Sequence, residues 1–233
     1  MAIIHDTTMS PSKLELLTPW LPAQPWYLDT GREPELAKAG GFRLDDPRGE
    51  VGIEFMVVTD RSGHRATTYQ VPLTYRARAL AGTGSGLIGT AEHGVLGRRW
   101  IYDGTCDPVL VGQLVALIQG DAQPQAQSVS NTPDPTVTSH PVTDQSLTAL
   151  GAAVAASGPF GTDLRIQTAD PDGRGKGQLI VRVNRILHPG DGEATAGKAG
   201  QLCLSATWRL PDGTRVRGVL ATARYTQQLA PRW

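Results

Sequence analysis

Residues 97–118 read GRRWIYDGTCDPVLVGQLVALI. The aromatic and apolar residues of Arg98–Tyr102 predict a short strand, and Asp103-Gly104 predicts the turn that ends it. Asp107 is a good helix N-cap, and Pro108 suits the first helical position. Apolar residues then recur at helical spacing, at Val111, Leu114, Val115 and Ile118. The stretch therefore predicts a strand, a turn and an amphipathic helix, with no recognisable catalytic nucleophile, base or metal cluster.

The chain before this stretch predicts an antiparallel sheet. Val51–Thr59 and Arg65–Tyr75 are rich in β-branched and aromatic residues and are separated by turn residues, which is typical of a hairpin. Leu87-Ile88-Gly89 is a further short strand candidate. Near the N-terminus, Ser12 and Glu15 have the spacing of a capping box, which predicts the start of a short helix.

The composition changes after Gly120. Gln119–Gln145 is rich in Gln, Ser, Thr and Pro and poor in large apolar residues, so we interpret it as a linker. The Ala-rich stretch Ser146–Ser157 predicts a helix, and strands are predicted near residues 163–168, 178–187, 201–210 and 214–225. The fold class is α+β, mainly antiparallel sheets with a few short helices in two small units. The predicted domains are 1–118, a linker 119–145, and 146–233.

Charge and apolar content limit the class of protein. The 22 basic side chains balance the 22 acidic ones, so no net field attracts nucleic acid or an anionic membrane, and neither is expected as a partner. No apolar run reaches the roughly 18 residues of a membrane span, and the N-terminus lacks the features of a secretory signal. We therefore expect a cytoplasmic protein in which Cys106 and Cys203 stay reduced.

The sequence offers no catalytic or cofactor motif. Residues 84–89 match GxGxxG, but neither a buried strand before them nor a helix after them is predicted, so we interpret them as a turn. The five histidines lack the spacing of zinc ligands, and no GxSxG elbow is present. We expect no catalytic residue, no metal and no cofactor.

Several aromatic side chains could contribute to a binding surface. Aromatic residues usually pack in the core, although a minority stack on sugar rings or on a protein partner. The candidates for a ligand or partner surface are Trp20, Trp26, Tyr27, Trp100, Tyr102 and the neighbouring Asp103.

Four motifs in order resemble one known family. They are LLTPWLPAQPWYLDTG (16–31), TTYQVPLTY (67–75), LIG (87–89) and the stretch 97–118. Residues 12–120 resemble the N-terminal cap domain of actinobacterial maltokinases, which related aminosugar and sugar kinases share. The resemblance implies a small α+β cap on the N-lobe of a kinase that makes maltose 1-phosphate from maltose and ATP, in a pathway from trehalose to α-glucan. Tyr27–Gly31 departs from the family, which has a basic Gly-Lys loop there.

Two further segments resemble the nucleotide site of these kinases in degenerate form. Ser130-Asn131-Thr132 is similar to the nucleotide-covering hairpin, but Pro133 and Pro135 interrupt it. Arg182 stands where the ATP-pairing lysine is expected, and a planar guanidinium is a poor substitute for that ammonium. No catalytic-loop or Mg²⁺-binding motif follows, and the remaining chain is too short for a helical catalytic lobe.

The sequence therefore favours a non-catalytic, maltokinase-cap-like protein. We expect an accessory or regulatory binding role in actinobacterial maltose, trehalose or α-glucan (glycogen) metabolism, with an enzyme of that metabolism or a small sugar or glucan as the partner. The alternatives are a sugar- or glucan-active transferase and a carbohydrate-binding module. The former would be a maltokinase-related kinase component or a glucan branching protein, although a branching enzyme needs a (β/α)₈ barrel that this pattern does not supply.

Overall fold

The computed structural model describes residues 8–81, 86–139, 148–149, 153–169, 176–190 and 201–227. Two α-helices lie among these residues, α1 (Lys13–Trp20) and α2 (Pro108–Gln119), and 3-10 turns occur at Leu21–Ala23 and Gly104–Cys106. The strands before α2 are β1 (Met9–Ser10), β2 (Leu36–Leu44), β3 (Val51–Asp60), β4 (Thr67–Arg76), β5 (Leu87–His93) and β6 (Gly97–Asp103). The strands after α2 are β7 (Gln125–Ala126), β8 (Thr138–Ser139), β9 (Thr148–Ala149), β10 (Val154–Gly158), β11 (Gly161–Ala169), β12 (Lys176–Val183), β13 (Ile186–Leu187), β14 (Gln201–Arg209) and β15 (Arg215–Gln227).

All of these strands belong to one antiparallel sheet. Its order is β1-β5-β6-β4-β3-β2-β14-β15-β12-β11-β10, so the sheet passes without a break from the first half of the chain to the second. β13 continues the course of β12 and pairs with β4, Ile186 opposite Tyr69. The strands β4, β3, β2, β14, β15 and β12–β13 therefore form a closed circuit. The prediction of a mainly antiparallel α+β fold is confirmed.

The interior of this circuit is filled by α2. The helix begins at its N-cap Asp107, with Pro108 at its first position, and ends at Gly120, whose left-handed backbone (φ 84°) makes it a good C-cap. Both N-terminal predictions are confirmed. Its apolar side chains pack against residues of β2, β3, β11, β12, β14 and β15 in one buried cluster. Burying one Val, Leu, Ile or Phe side chain contributes about 1.5–3 kcal/mol, and this cluster contains many of them, so it is the main source of stability.

A second apolar cluster covers the outer face of the first half. Leu17 of α1, Leu21 and Trp26 pack against Met56 and Val58 of β3 and against neighbouring residues of β4–β6. The helix begins with the predicted capping box, in which Ser12 and Glu15 each accept a hydrogen bond from the other's backbone N–H. The strands β3 and β4 thus bury side chains on both faces.

Two parts of the sequence-based prediction differ from the structure. The helix predicted at Ser146–Ser157 is wrong, because Thr148–Ala149 and Val154–Gly158 are strands that pair with β11. Pairing with β11 outweighs the helix propensity of alanine, which is a weak preference. The sequence also did not predict β2, since Gly40-Gly41 interrupts the pattern at a bulge opposite Val57.

The segment predicted as a linker contributes to the sheet and to the core. β7 pairs with β2, β8 pairs with β14, and Val137 is buried in the α2 cluster. The proline-rich stretch between them folds back, since Ala126 N–H donates to the carbonyl of Thr132 at 2.7 Å and Asp134 N–H donates to that of Pro124 at 2.8 Å. The division into units at 118 and 146 stays a prediction.

Neither helix among the described residues combines the length and the apolar character that a bilayer span requires.

Substitutions at two glycines test the packing of the sheet. Gly41 has φ +134°, and a Cβ there would overlap the carbonyl oxygen of Phe55 on the neighbouring strand. We expect Gly41→Ala to lower the free energy of unfolding by about 1–3 kcal/mol because the backbone conformation is strained and the strand must move. Urea denaturation measures this change.

The matched control is Gly112→Ala inside α2, where a Cβ has no neighbour within 4 Å. This change removes a glycine from a helix interior, so we expect a gain of about 0.5–1 kcal/mol. Equal effects of the two substitutions would contradict the assigned strand and helix.

Candidate functional site: the Arg185 junction and the adjoining cavity

Arg185 is a fully buried cation at the point where the two halves of the chain meet. It lies between β12 and β13, and its Nη2 donates to both carboxylate oxygens of Asp103, at 2.9 and 2.6 Å. Nη2 also lies 3.0 Å from Thr105 Oγ1, and Nε donates to Thr162 Oγ1 at 2.9 Å. One side chain thus joins the end of β6, the following turn and the start of β11.

Trp26 covers one face of the Arg185 guanidinium. The carbon Cζ of Arg185 lies 5.0 Å from the centroid of the Trp26 ring, which is a cation–π contact in a buried setting. Trp26 in turn packs on Trp20 and Tyr69, with ring centroids 5.8 and 5.9 Å apart. The aromatic residues of the first half therefore surround this ion pair.

The turn after β6 holds the carboxylate that Arg185 binds. Asp103 accepts hydrogen bonds from the backbone N–H and the hydroxyl of Thr105, at 3.0 and 2.8 Å. Asp107 then caps α2 by accepting from Val109 N–H at 2.9 Å. It also binds Arg76 of β4 through Nε at 2.6 Å and Nη2 at 2.7 Å. The segment 103–107 is therefore held by one arginine from each half of the chain.

Titration properties at this turn favour a structural role. Burial raises the pKa of Asp107, but the hydrogen bonds from Arg76 and from Val109 N–H outweigh it, so the pKa lies below its ordinary value. Burial also raises the pKa of the Cys106 thiol, and the charge of Asp103 adds to this effect. Because the thiolate is the reactive form, Cys106 is a poor nucleophile.

A cavity of about 380 Å³ opens beside the junction. Its walls come from the β10–β11 turn (Pro159, Phe160), from the segment 184–190 and from Val219. Asn184 fixes this segment, since its backbone N–H donates to Leu220 O at 2.9 Å and its amide donates to Val219 O at 3.0 Å. Phe160 is 83% exposed, so an aromatic face and the polar side chains of Asn184 and His188 are available at one opening.

Glu54 is a second buried charged group that sequence reasoning missed. It accepts hydrogen bonds of 2.6 Å from Lys13 Nζ, from the Tyr75 hydroxyl and from the Gln127 amide. Burial raises its pKa, but the charge of Lys13 and these hydrogen bonds outweigh burial, so the pKa is lowered. With three donors already bound, this carboxylate orders its neighbours and is poorly placed to act as a base.

The structure separates the six residues predicted for a ligand or partner surface. Trp26, Tyr27, Tyr102 and Asp103 are buried, whereas Trp20 and Trp100 are only partly buried. The buried ones are held inside the fold: Tyr27 Oη donates to Asp60 at 2.9 Å, and Tyr102 Oη accepts from Leu80 N–H at 2.8 Å. A surface role stays a prediction for Trp20 and Trp100.

The residues that resemble a nucleotide site also lie apart. Ser130-Asn131-Thr132 forms a turn next to β7, which pairs with β2, whereas Arg182 lies on β12. Strands β14 and β15 separate β2 from β12, a distance of about 14 Å along the sheet. Arg182 is bound to Asp163 through Nε at 2.7 Å and Nη2 at 2.8 Å.

No group of three or more His, Cys, Asp or Glu side chains comes together among the described residues in a way that could hold a metal ion. Arg185 and Glu54 were not identified from the sequence because a single charge in an apolar strand pattern gives no information about its partner. Both of their main partners lie far away along the chain, at Asp103 and Lys13.

These features define an α+β protein whose first half is a small sheet-and-helix cap, joined to a second antiparallel half by a buried ion pair. A family model described as the maltokinase N-terminal cap domain matches residues 20–107, somewhat less than half of the chain. Residues 20–107 are thus similar to a maltokinase N-terminal cap domain, and the resemblance stated for residues 12–120 is confirmed over these residues. No curated protein is similar enough to count as a relative.

Removing the Arg185 charge tests the junction. Arg185→Met leaves Asp103 buried without its cationic partner, so we expect the free energy of unfolding to fall by about 3–5 kcal/mol. The double variant Asp103→Asn/Arg185→Met removes both charges and is expected to recover part of this loss. Chemical denaturation of the single and double variants measures the coupling.

Arg182→Met is the matched control, because Arg182 also binds both carboxylate oxygens of an aspartate, but on the exposed face. An exposed pair of this kind contributes about 0–1 kcal/mol. If Arg182→Met lowered the free energy of unfolding as much as Arg185→Met does, burial would not be what makes the Arg185–Asp103 pair important.

The lowered pKa of Glu54 predicts that the stability of the protein depends on pH. Its pKa is lowered in the folded protein, so its contribution is present above the ordinary value of 4.5 and is lost as the pH falls below it. We expect Glu54→Gln to reduce stability by about 1–3 kcal/mol at neutral pH and to flatten the decline toward about pH 3. Denaturation at a series of pH values tests this. Glu50→Gln, at an exposed glutamate, should leave the profile unchanged.

Proposed function

We propose that this chain is a non-catalytic accessory or regulatory binding protein of maltose, trehalose and α-glucan (glycogen) metabolism in the cytoplasm of an actinobacterium. The match of residues 20–107 to the maltokinase N-terminal cap domain carries the proposal. A cap of this family associates the chain with maltokinase-related carbohydrate metabolism. Its partner would be an enzyme of that metabolism.

The packing of the cap supports a binding role. The aromatic residues around Trp26 and the carboxylates of Asp103 and Asp107 are engaged in the interior. In addition, Arg182, at the position of the expected ATP-pairing lysine, is bound to Asp163. These side chains hold the fold together, so recognition of a partner falls to the exposed surface.

A direct experiment mixes the purified full chain with purified actinobacterial maltokinase, trehalose synthase and glucan-building transferase, one at a time. We expect association with one of them and a change of at least about twofold in its turnover, without ATP-dependent phosphorylation of maltose by the chain alone. Isothermal titration and an assay for maltose 1-phosphate measure these outcomes. Phosphorylation of maltose by the chain alone would refute the non-catalytic role, and absence of both association and effect would refute the accessory role.

Binding of a small glucan is the second candidate function, and the cavity beside Phe160 favours it. Its volume of about 380 Å³ is at the small end of the range for ligand sites. An exposed aromatic ring can stack on a sugar ring, while Asn184 and His188 offer polar groups to its hydroxyls.

This candidate predicts that Phe160→Ala weakens binding of maltose or maltoheptaose by at least about tenfold, because the stacking face is lost. Val95→Ala, an exposed apolar residue outside the cavity, should have no effect. Calorimetric titration of both variants measures the difference. Wild-type protein that binds neither sugar would eliminate the candidate.

A further inference from the structure

Among the described residues, the sheet ends at β10, and nothing in this part of the chain protects that edge against further pairing. β10 pairs with β11 on one side, and no strand among the described residues pairs with its other side. Its sequence, VAASG, has no charge and no proline, and its register with β11 contains no bulge. Charges, prolines and bulges are the means by which proteins usually block such edges, so β10 is open to an additional strand.

The hairpin geometry shows which backbone groups are free. Gly158 and Gly161 pair directly across the two-residue turn, so they exchange hydrogen bonds, and the same holds for every second pair, Ala156 with Asp163 and Val154 with Arg165. Ala155 and Ser157 therefore direct their N–H and C=O groups away from β11. An incoming strand would find two donors and two acceptors in a regular row.

The face next to this edge is basic. Val154, Arg165, Ile180 and Arg224 stand opposite one another on β10, β11, β12 and β15, so their side chains share a face. The side chains of Arg165 and Arg224 form no hydrogen bond or close ion pair with the described residues, although their charges help to lower the pKa of Asp163. The neighbouring Asp163 is already bound to Arg182. On this face of β10, Val154 lies opposite Arg165 and is followed by the small residues Ala156 and Gly158, so the long Arg165 side chain can extend past them toward an added strand.

We propose that β10 binds an extended, acidic segment of a partner protein as an additional strand of the sheet. Backbone hydrogen bonds to Ala155 and Ser157 would provide affinity, as in other cases of strand addition, and Arg165 would select carboxylates on one face. This inference rests on the proposed accessory role and names the surface and the chemistry of the partner.

The test uses phage-displayed random peptides of about twelve residues, selected on the immobilised full chain. We expect enrichment of peptides that alternate β-branched with acidic residues. The best peptide, made synthetically, should bind Ala155→Pro at least about tenfold more weakly, because proline removes an outward N–H and its ring blocks the edge. Ala155→Thr keeps the N–H and should bind like the wild type.

The contribution of the Arg165 charge to peptide binding is tested separately with the same peptide. Arg165→Gln should weaken binding about fivefold, whereas Arg215→Gln, at an exposed arginine at the start of β15, should not. Circular dichroism and thermal unfolding establish that each variant is folded. If Ala155→Pro proves unfolded, Ser157→Pro removes the other outward N–H and takes its place.

Three outcomes would overturn the inference: enriched peptides that are not acidic, a peptide that binds Ala155→Pro as tightly as the wild type, or no enrichment. A wild-type dimer that Ala155→Pro converts to a monomer would replace the acidic partner with a second copy of this chain. If the effect on a carbohydrate enzyme persists in Ala155→Pro, the accessory function stands and the β10 inference fails.

Discussion

The fold depends on one buried ion pair, Arg185 with Asp103. The two residues come from opposite halves of the chain, and the guanidinium lies in a space enclosed by Trp26 and the start of β11. Placing two charges in the interior has a desolvation cost that their attraction and hydrogen bonds must offset. Here Nη2 contacts both oxygens of the Asp103 carboxylate, whereas Nη1 is buried without a hydrogen-bond partner among the described residues. Such a pair contributes less to net stability than to the uniqueness of the arrangement. An alternative packing of the halves would leave a charge buried without its partner.

This pair acts together with the closed circuit of strands. The backbone N–H of Gln70 in β4 donates to the carbonyl of Arg185 at 2.8 Å, and the Gln70 amide donates to Asn184 at 3.0 Å and to Leu220 at 3.1 Å. The bend between β12 and β13 is thereby fixed to the middle of the first half. Closure encloses α2, whose apolar face would otherwise remain exposed.

Local sequence patterns predicted several strands and the helix α2, whereas features that depend on tertiary contacts were not predicted. The hairpin β3–β4, the strand β6 and the capped helix α2 follow from β-propensity, turn residues and capping, which act within a few residues. The strand β10 was predicted as a helix because alanine favours helices. The contact that makes it a strand is its pairing with β11, and the composition of β10 itself does not show this contact. Three aromatic residues that were predicted at the surface, Trp26, Tyr27 and Tyr102, are buried. Their burial was not predicted because an aromatic side chain gives no information about whether other elements cover its face of the sheet. The partners of Arg185 and Glu54 are set by the topology, which a single sequence does not contain.

The same topology motivates the proposal that a partner is recognised at one edge of the sheet. Two groups of strands extend beyond the closed circuit, β6–β5–β1 on one side and β11–β10 on the other. Arg185 holds the base of both groups, since it binds Asp103 at the end of β6 and Thr162 at the start of β11. The first group ends in β1, a strand of two residues, which is too short to pair extensively. The second ends in β10, whose five residues are uncharged and of which the first four are exposed. It lies beside Arg165, whose side chain has no close ion-pair partner among the described residues. We therefore infer that recognition occurs at this edge, together with the cavity at its turn, because a partner can add backbone hydrogen bonds and opposite charge there.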